Sequence, residues 1–238
     1  MTKLLVVFDV DSTLIEDEVI ELLADVAGKR AEVAAVTERA MAGELDFAES
    51  LIERVKTLAG LPSSVFESVF QQVTITQGAA HLIDAVHAAG GRVGAVSGGF
   101  SQVLTPLAEK LSLDFARANE LEVIDGVLTG KVVGKIIDRS EKKNALLEWA
   151  RLAGFDIAQT VAVGDGANDL EMMQAAGLSI AFNAKQIVRD QADLVIGKRD
   201  LFRRRRSGLS EAPLRDRDAG GQGGAPPARS AGPLAAAR

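Results

Sequence analysis

Two carboxylates separated by a single residue, Asp9 and Asp11, follow directly on the apolar residues 4–8. Five consecutive apolar residues are typical of a strand that is buried on both faces of a parallel sheet. Where such a strand ends in a loop at the carboxyl edge of the sheet, both acids can converge on one crevice. Placing two carboxylates next to each other costs free energy because they repel, so such a pair is expected where a cation or a reaction requires it. The pattern therefore indicates a reaction or metal site, and the alternative is a polar turn rich in Asp and Ser.

Polar residues also follow two later predicted strands, over residues 92–96 and 160–163. With the glycines among them, these residues are Ser97, Gly98, Gly99, Asp165, Asn168 and Asp169. The carboxyl ends of parallel strands meet at one edge of the sheet. Mg²⁺ prefers a few carboxylate oxygens together with water and substrate phosphate, and Asp9, Asp11 and Asp165 offer such oxygens. Glycines leave backbone N–H groups open to a phosphate at the start of a helix. The three strand ends thus predict phosphate chemistry with a hard cation.

The elements that must position these groups alternate along the chain from residue 74 onward. Helical patterns over residues 79–89, 101–111 and 140–153 separate the predicted strands. Two further strands are predicted over residues 178–182 and 193–196. Strands that alternate with helices predict an α/β fold with a doubly wound, Rossmann-like parallel sheet. A hairpin is predicted at Asp125-Gly126. We assign residues 1–14 and 74–201 to this core.

Residues 15–73 have a helical pattern throughout. Gly28, Gly43 and Gly60 are predicted to end three helices, and Pro62 occupies a favoured first-turn position for a fourth. We therefore expect a small four-helix cap inserted after the first strand.

The composition excludes several classes of protein. The formal net charge of −6 argues against nucleic acid as a partner of the whole chain. The chain has no cysteine, which excludes a disulfide framework, a zinc–thiolate site and a cysteine nucleophile. No apolar run approaches the ~20 residues of a membrane span, and no signal peptide is visible. We expect a cytoplasmic protein without a membrane partner.

Residues 202–238 differ in composition from the rest of the chain. They contain eight arginines and only three acidic residues, so they carry a net charge of +5, and they are rich in Ala, Gly and Pro. Such a segment buries too little apolar surface to offset its ordering entropy, which predicts a disordered basic tail. The abrupt change after Leu201 also resembles a GC-rich gene read out of frame. Contact with nucleic acid or anionic lipid is a third reading.

Residues 8–13, Phe-Asp-Val-Asp-Ser-Thr, resemble the DxDx[TV] motif of the haloacid dehalogenase superfamily. Ser97, Lys142 and residues 164–169 match its other motifs in the same order, and the helical insertion resembles its cap. More narrowly, residues 5–201 resemble the phosphoserine phosphatase family of that superfamily. The matching positions within the insertion include Glu18, Met41, Phe47 and Arg54.

The resemblance implies that Asp9 is the nucleophile that forms an aspartyl-phosphate. Asp11 would protonate the leaving oxygen and then activate the hydrolytic water. A carboxylate ~4 Å from a phosphomonoester meets a repulsion of about 4 kcal/mol per charge pair at an effective dielectric constant of ~20. By resemblance, Mg²⁺ held by Asp9, Asp165 and the backbone carbonyl of Asp11 offsets this repulsion, with help from Lys142 and the Ser97 hydroxyl.

The remaining roles also come from the resemblance. Asn168 and Asp169 would orient the waters of the metal and the phosphate-binding lysine. That lysine is Lys142 by its 18-residue distance to Thr160, and the neighbouring Lys143 is the alternative.

Specificity is assigned to the cap. Glu18 would pair with the substrate ammonium, Arg54 would bind the carboxylate bidentately, and Met41 and Phe47 would line an apolar wall. The alternative for Glu18 and Arg54 is a pair of solvated helix charges. Gly98 and Gly99 complete the expected substrate-binding set.

The function implied is Mg²⁺-dependent hydrolysis of O-phospho-L-serine to L-serine and phosphate, the last step of serine biosynthesis. A related phosphatase of the superfamily, or a phosphotransferase that uses homoserine as acceptor, is the nearer alternative. A non-catalytic receiver-type signalling module is the alternative from another class.

Overall fold

The computed structural model describes residues 3–41, 44–197 and 200–201. Within these residues, the chain forms a sheet of seven strands in the order β4-β3-β2-β1-β5-β6-β7. Their bounds are β1 (Leu5–Phe8), β2 (Arg92–Phe100), β3 (Phe115–Ile124), β4 (Val127–Val133), β5 (Thr160–Gly164), β6 (Leu178–Phe182) and β7 (Leu194–Ile196). All neighbouring strands pair in parallel except β3 and β4, which form an antiparallel hairpin. The predicted α/β fold with a doubly wound sheet is confirmed.

The helices lie on both faces of this sheet. Their bounds are α1 (Val19–Val26), α2 (Arg30–Met41), α3 (Phe47–Lys56), α4 (Val65–Phe70), α5 (Ala79–Ala88), α6 (Ser101–Leu111), α7 (Arg139–Ala153), α8 (Leu170–Ala175) and α9 (Gln186–Arg189). The central strand β1 shows why both faces are covered, because all four of its side chains are buried. Val6 and Phe8 belong to the core cluster that contains buried residues of α1, α5 and α6, whereas Leu5 and Val7 belong to the cluster of α7 and α8.

Among the described residues of the segment 15–73, the structure contains the helices α1–α4. Asp46 caps α3 through a reciprocal pair of hydrogen bonds with Glu49. The prediction that α4 begins at Pro62 is wrong, because this helix begins at Val65. Pro62 instead forms an isolated bridge with Val127 of the hairpin. The division into core and cap stays a prediction.

The strand predicted to end at residue 96 is longer in the structure. β2 continues to Phe100, which aligns with Asn119 of β3. The pairing shifts register between Val96 and Phe100, so that the strand bulges at Gly98 and Gly99 and then resumes. Glycines end many strands, but here they form an irregularity within one.

Two predictions lie outside the described residues. These are the helix end at Gly43 and the disordered or frame-shifted tail over residues 202–238. In the described residues, no helix combines the length and apolar character that a membrane span requires.

Candidate active site

Three carboxylates meet at the carboxyl edge of the two central strands. Asp9 follows β1, and Asp165 and Asp169 follow the neighbouring strand β5. The backbone N–H of Asp9 donates to Val163 O at 2.9 Å, which extends the pairing of these strands to the site. Asp9, Asp165 and Asp169 each offer an oxygen within 4.8 Å of the others.

Lys142 of α7 lies against these acids. Its Nζ donates to Asp9 Oδ1 at 2.6 Å and to Asp169 Oδ1 at 2.8 Å. Burial alone would lower the pKa of Lys142, but the carboxylates of Asp169 and Asp9 raise it above its ordinary value. The ammonium group is therefore a fixed positive charge. Lys143 is directed elsewhere, since its Nζ lies 3.1 Å from Glu171 Oε2.

Asp169 has both carboxylate oxygens engaged. While Oδ1 accepts from Lys142, Oδ2 accepts from the backbone N–H groups of Asp165 at 3.2 Å and Gly166 at 3.0 Å. A Cβ atom at Gly164 would lie 2.5 Å from the Asp169 carboxylate, which explains why glycine ends β5. These contacts make Asp169 a positioning group for Lys142 and for the turn that carries Asp165.

The acids carry more negative charge than Lys142 neutralises. Burial raises the pKa of Asp9 well above its usual range, and the charge of Asp169 adds to this effect. The same two causes raise the pKa of Asp165 to about 6. Thr13 donates to Asp165 Oδ1 at a long 3.4 Å. A set of crowded, partly solvated carboxylate oxygens suits a hard divalent cation such as Mg²⁺.

Asp11 reaches the same crevice because the strand ends before it. Residues 10–14 form a tight turn closed by the bond from the Ile15 N–H to Val10 O, in which Asp11 has extended backbone angles and Ser12 adopts a left-handed conformation, with φ of 58°. Asp11 Oδ1 accepts from the backbone N–H of Val19 at 2.7 Å, and Oδ2 accepts from the Ser97 hydroxyl at 2.8 Å. Burial raises the pKa of Asp11 despite these bonds.

The Ser97 hydroxyl contacts both Asp11 and the backbone of β2. Besides donating to Asp11, its oxygen accepts from the backbone N–H of Gly99 at 2.7 Å. Ser97 is fully buried and joins the bulge of β2 to Asp11. A Cβ atom at Gly99 would lie 2.8 Å from Asp11 Oδ2, so this close approach requires glycine. Direct contact of Ser97 with phosphate stays a prediction.

A cavity of about 780 Å³ opens above these groups. It is lined by residues of the sheet edge and of the helices that follow β1. Nine of the residues selected from the sequence line it: Asp9, Asp11, Glu18, Phe47, Arg54, Gly98, Gly99, Asp165 and Asn168. Ser97, Lys142 and Asp169 are buried and contact the lining residues. The side chain of Met41, at the end of α2, lies outside the described part of the structure.

Glu18 and Arg54 line the part of the cavity formed by the helices. Ser12 donates to Glu18 Oε1 at 2.7 Å. Solvent reaches Glu18, yet desolvation in the cavity wall and the charge of Asp11 raise its pKa to about 7. Arg54 donates through Nε to Ser50 O at 3.2 Å, and burial lowers its pKa. Among the described residues, no carboxylate lies within ion-pair distance of Arg54, although Glu18 and Asp11 act on it at longer range.

Sequence reasoning missed several lining residues. Asp138, which caps α7, and Lys185, which precedes α9, both line the cavity. Lys185 also donates its backbone N–H to Asp165 O at 3.1 Å. The helix-capping pattern of Asp138 followed by Glu141 was a readable signal, but it carries no information on the cavity.

The fold and the cluster of acids define a class of protein. Residues 6–174 match the family model of the haloacid dehalogenase-like hydrolases, and the chain belongs to this family. This result also excludes the receiver-type module.

Within the family, the similar proteins include several phosphoserine phosphatases, as the sequence motifs indicated. The chain is 57% identical over 192 residues to phosphoserine phosphatase SerB2 of Mycobacterium tuberculosis, covering 81% of this chain and 47% of that protein. It is 52% identical over 201 residues to the phosphoserine phosphatase of Streptococcus thermophilus, covering 84% of this chain and 94% of that protein. The chain thus spans about half the length of the first relative and nearly all of the second.

Solved structures give the same result. A substrate-bound phosphoserine phosphatase complex superposes with a TM-score of 0.79 at 44% identity, covering 84% of this chain and 96% of the other. A phospho-aspartyl intermediate analogue of phosphoserine phosphatase superposes with the same TM-score, identity and coverage.

Proposed function

We propose that this protein hydrolyses O-phospho-L-serine to L-serine and phosphate with Mg²⁺ as cofactor, the last step of serine biosynthesis. One arrangement carries the proposal: Glu18 and Arg54 line the same cavity as Asp9 and Asp11. A ligand in this cavity can place a phosphate near the two aspartates, an ammonium near Glu18 and a carboxylate near Arg54. The similarity to a substrate-bound phosphoserine phosphatase supports the same assignment.

The residues assigned to the substrate offer it a positive charge, an apolar wall and a side-chain amide. No carboxylate in the described part of the chain contacts Arg54, so its guanidinium is available for bidentate hydrogen bonds with the substrate carboxylate. Phe47 provides an apolar wall close to the glycines, because a Cβ atom at Gly98 would lie 2.8 Å from its ring. Asn168 also lines the cavity and offers a side-chain amide to phosphate oxygens.

The chemistry begins at Asp9. Because Oδ1 accepts from Lys142, Oδ2 is the oxygen assigned to attack phosphorus. A bond forms between this oxygen and phosphorus while the bond from phosphorus to the serine oxygen breaks. Asp11, whose pKa is raised by burial, gives a proton to the leaving oxygen.

Hydrolysis of the aspartyl-phosphate reverses the role of Asp11. The Asp11 carboxylate takes a proton from a water molecule, whose oxygen attacks phosphorus and releases phosphate from Asp9. Bonds from Val19 N and Ser97 Oγ fix the orientation of Asp11 for both steps.

The metal site is assigned to Asp9, Asp165 and the backbone carbonyl of Asp11. Bound Mg²⁺ would supply positive charge that offsets repulsion between the carboxylates and the phosphate. Asp169 is assigned to positioning, because both of its oxygens already accept hydrogen bonds.

The test measures phosphate release from O-phospho-L-serine with Mg²⁺ and with a chelator, beside the isosteric variant Asp9→Asn. We expect turnover only in the unmodified protein with Mg²⁺, and acid-quenched mass spectrometry should detect a phosphoenzyme that Asp9→Asn lacks. Parallel reactions contain homoserine, and transfer of most of the phosphoryl group to it would indicate a phosphotransferase. Hydrolysis of p-nitrophenyl phosphate without hydrolysis of phosphoserine would contradict the proposed substrate.

A further inference from the structure

The bulge of β2 carries the cavity-lining Gly98 and Gly99. Val96 aligns with Arg117 of β3 and Phe100 aligns with Asn119. Four residue steps on β2 therefore correspond to two on β3, and the extra residues leave the regular ladder. A bulge of this kind leaves backbone polar groups that need partners outside the ladder.

Asn119 supplies such a partner. Its Nδ2 donates to Gly98 O at 2.8 Å, and its Oδ1 accepts from the backbone N–H of Ile137, also at 2.8 Å. Asn119 is only 1% exposed, the bond to Ile137 is buried and the bond to Gly98 is partly buried. A buried amide with both ends engaged by backbone groups has one defined orientation.

The two partners of Asn119 belong to two different elements that border the cavity, because Gly98 and Asp138 both line it. Gly98 lies in the bulge, whose shape also sets Ser97 against Asp11. Ile137 immediately precedes Asp138, the capping residue of α7, and Asp138 O accepts from the backbone N–H of Lys142 at 3.0 Å. One amide thus joins the bulge of β2 to the first turn of the helix that carries Lys142.

We propose that Asn119 is a positioning residue that sets the spacing between the Gly98–Gly99 bulge and Lys142, and thereby the affinity of the site for phosphate. The inference rests on the proposed function for its substrate, but it adds a residue that lies outside the cavity. Errors of about 1 Å in such spacings cost about 100-fold in rate, since catalytic groups act only in narrow geometries. Asn119 therefore affects phosphate binding without touching phosphate.

Thr160 provides a matched control for the experiment. Its hydroxyl also joins two backbone groups, donating to Ile157 O at 2.7 Å and accepting from Gly177 N–H at 3.0 Å, and it is equally buried at 1%. It lies at the start of β5, at the opposite end of the strand from Asp165. Asn119→Leu and Thr160→Val each remove two buried hydrogen bonds with little change of size.

Thermal unfolding is measured for both variants with Mg²⁺. Phosphoserine kinetics and inhibition by inorganic phosphate are then measured with Mg²⁺ well below the melting temperatures so obtained. We expect both to lose a few degrees of melting temperature. Only Asn119→Leu should lose about 10- to 100-fold in kcat/KM and bind inorganic phosphate at least tenfold more weakly. Asn119→Asp, which retains an acceptor for Ile137 but has no donor for Gly98, should weaken phosphate binding similarly.

Equal kinetics for the Asn119 and Thr160 variants would overturn the inference and leave Asn119 a purely structural residue. Binding of inorganic phosphate by calorimetry provides a separate readout. If the unmodified protein binds phosphate but does not hydrolyse phosphoserine, the proposed function fails while the role of Asn119 is still tested by its effect on phosphate affinity.

Discussion

The ammonium nitrogen of Lys142 lies 2.6 Å from Oδ1 of Asp9, although the two residues are 133 positions apart in the chain. Both side chains are almost entirely buried, with 1% and 6% of their surfaces exposed. This pair joins helix α7 to the end of strand β1. It also places a permanent positive charge beside the assigned nucleophile, so its loss should affect stability and activity together.

Replacement of Lys142 by Met should abolish turnover and destabilise the fold. The change leaves the buried carboxylates of Asp9 and Asp169 without their cation, and breaking a buried ion pair costs about 3–5 kcal/mol. Chemical denaturation and phosphate release measure the two effects. Lys143→Met is the control, because Lys143 makes a partly exposed pair with Glu171 that contributes at most ~1 kcal/mol. Comparable losses in both variants would contradict the assignment of Lys142.

The sequence alone predicted most elements of the fold, because their signals are local. The apolar strand β1, the helix over residues 101–111 and the hairpin turn at Asp125-Gly126 depend on neighbouring residues, and the structure contains all three. The end of β2 depends on a different strand. Its pairing resumes at Phe100 opposite Asn119, and no pattern within β2 reports that partner.

The distinction between local signals and contacts with distant residues also applies to the candidate active site. Acids at strand ends are visible in the sequence, since parallel strands bring their carboxyl ends to one edge. The choice between Lys142 and Lys143 required the rotation of α7 about its axis relative to the sheet, which only tertiary packing sets. The bond from Ser97 to Asp11 likewise depends on the bulge of β2. Contacts of this kind follow from register and packing.

Replacement of Arg54 by Ala should remove phosphoserine turnover and spare smaller esters. The guanidinium lines the cavity without a carboxylate partner in the described residues, so its assigned partner is the substrate carboxylate. A site built to bind a polar substrate group discriminates against an analogue that lacks it by about 10⁴–10⁵. We therefore expect loss of the guanidinium to lower kcat/KM for phosphoserine at least about 100-fold. Hydrolysis of p-nitrophenyl phosphate, which has no carboxylate, should fall by less than about tenfold.

Arg30→Ala is the control for this change. Arg30 begins α2 and pairs with Asp25 and Glu21 on the exposed surface, where ion pairs contribute little. The kinetics of the Arg30→Ala variant should match those of the unmodified protein on both esters. Equal loss on both esters in Arg54→Ala would place Arg54 outside the carboxylate site.

The pH dependence of phosphoserine turnover should report Glu18. Its pKa is raised to about 7, and only the ionised form can pair with the substrate ammonium. The ionised fraction rises from roughly a tenth at pH 6 to nine tenths at pH 8, so kcat/KM should rise about ninefold over this range. Glu18→Gln should have lower kcat/KM and lack this ninefold contribution, so that only the smaller rise from ionisation of the substrate phosphate remains.

The substrate phosphate ionises near pH 6 and contributes equally in all variants. Glu32→Gln, a change on the exposed face of α2, should keep the rise seen in the unmodified protein. If Glu18→Gln keeps it as well, the group that titrates is not Glu18.

Stability in the absence of metal should fall as pH rises, because the acids of the site are crowded. The pKa of Asp165 is raised to about 6, and that of Asp9 is raised in the same direction. The folded protein therefore binds protons more tightly than the unfolded chain. By linkage, the stabilising effect of protonation is present at low pH and is lost as pH rises through about 6.

Mg²⁺ should reverse this loss, and the reversal should depend on Asp165. Ionised carboxylates bind the cation, so the rise in melting temperature on adding Mg²⁺ should be larger at pH 8 than at pH 5. At a concentration 100 times the dissociation constant, stabilisation is about 2.7 kcal/mol, which corresponds to several degrees. Asp165→Asn should lose most of this rise, whereas Asp125→Asn, in the hairpin turn, should keep it, since Asn tolerates the left-handed conformation found there. An equal Mg²⁺ effect in Asp165→Asn, or a larger effect at pH 5, would remove Asp165 from the metal site.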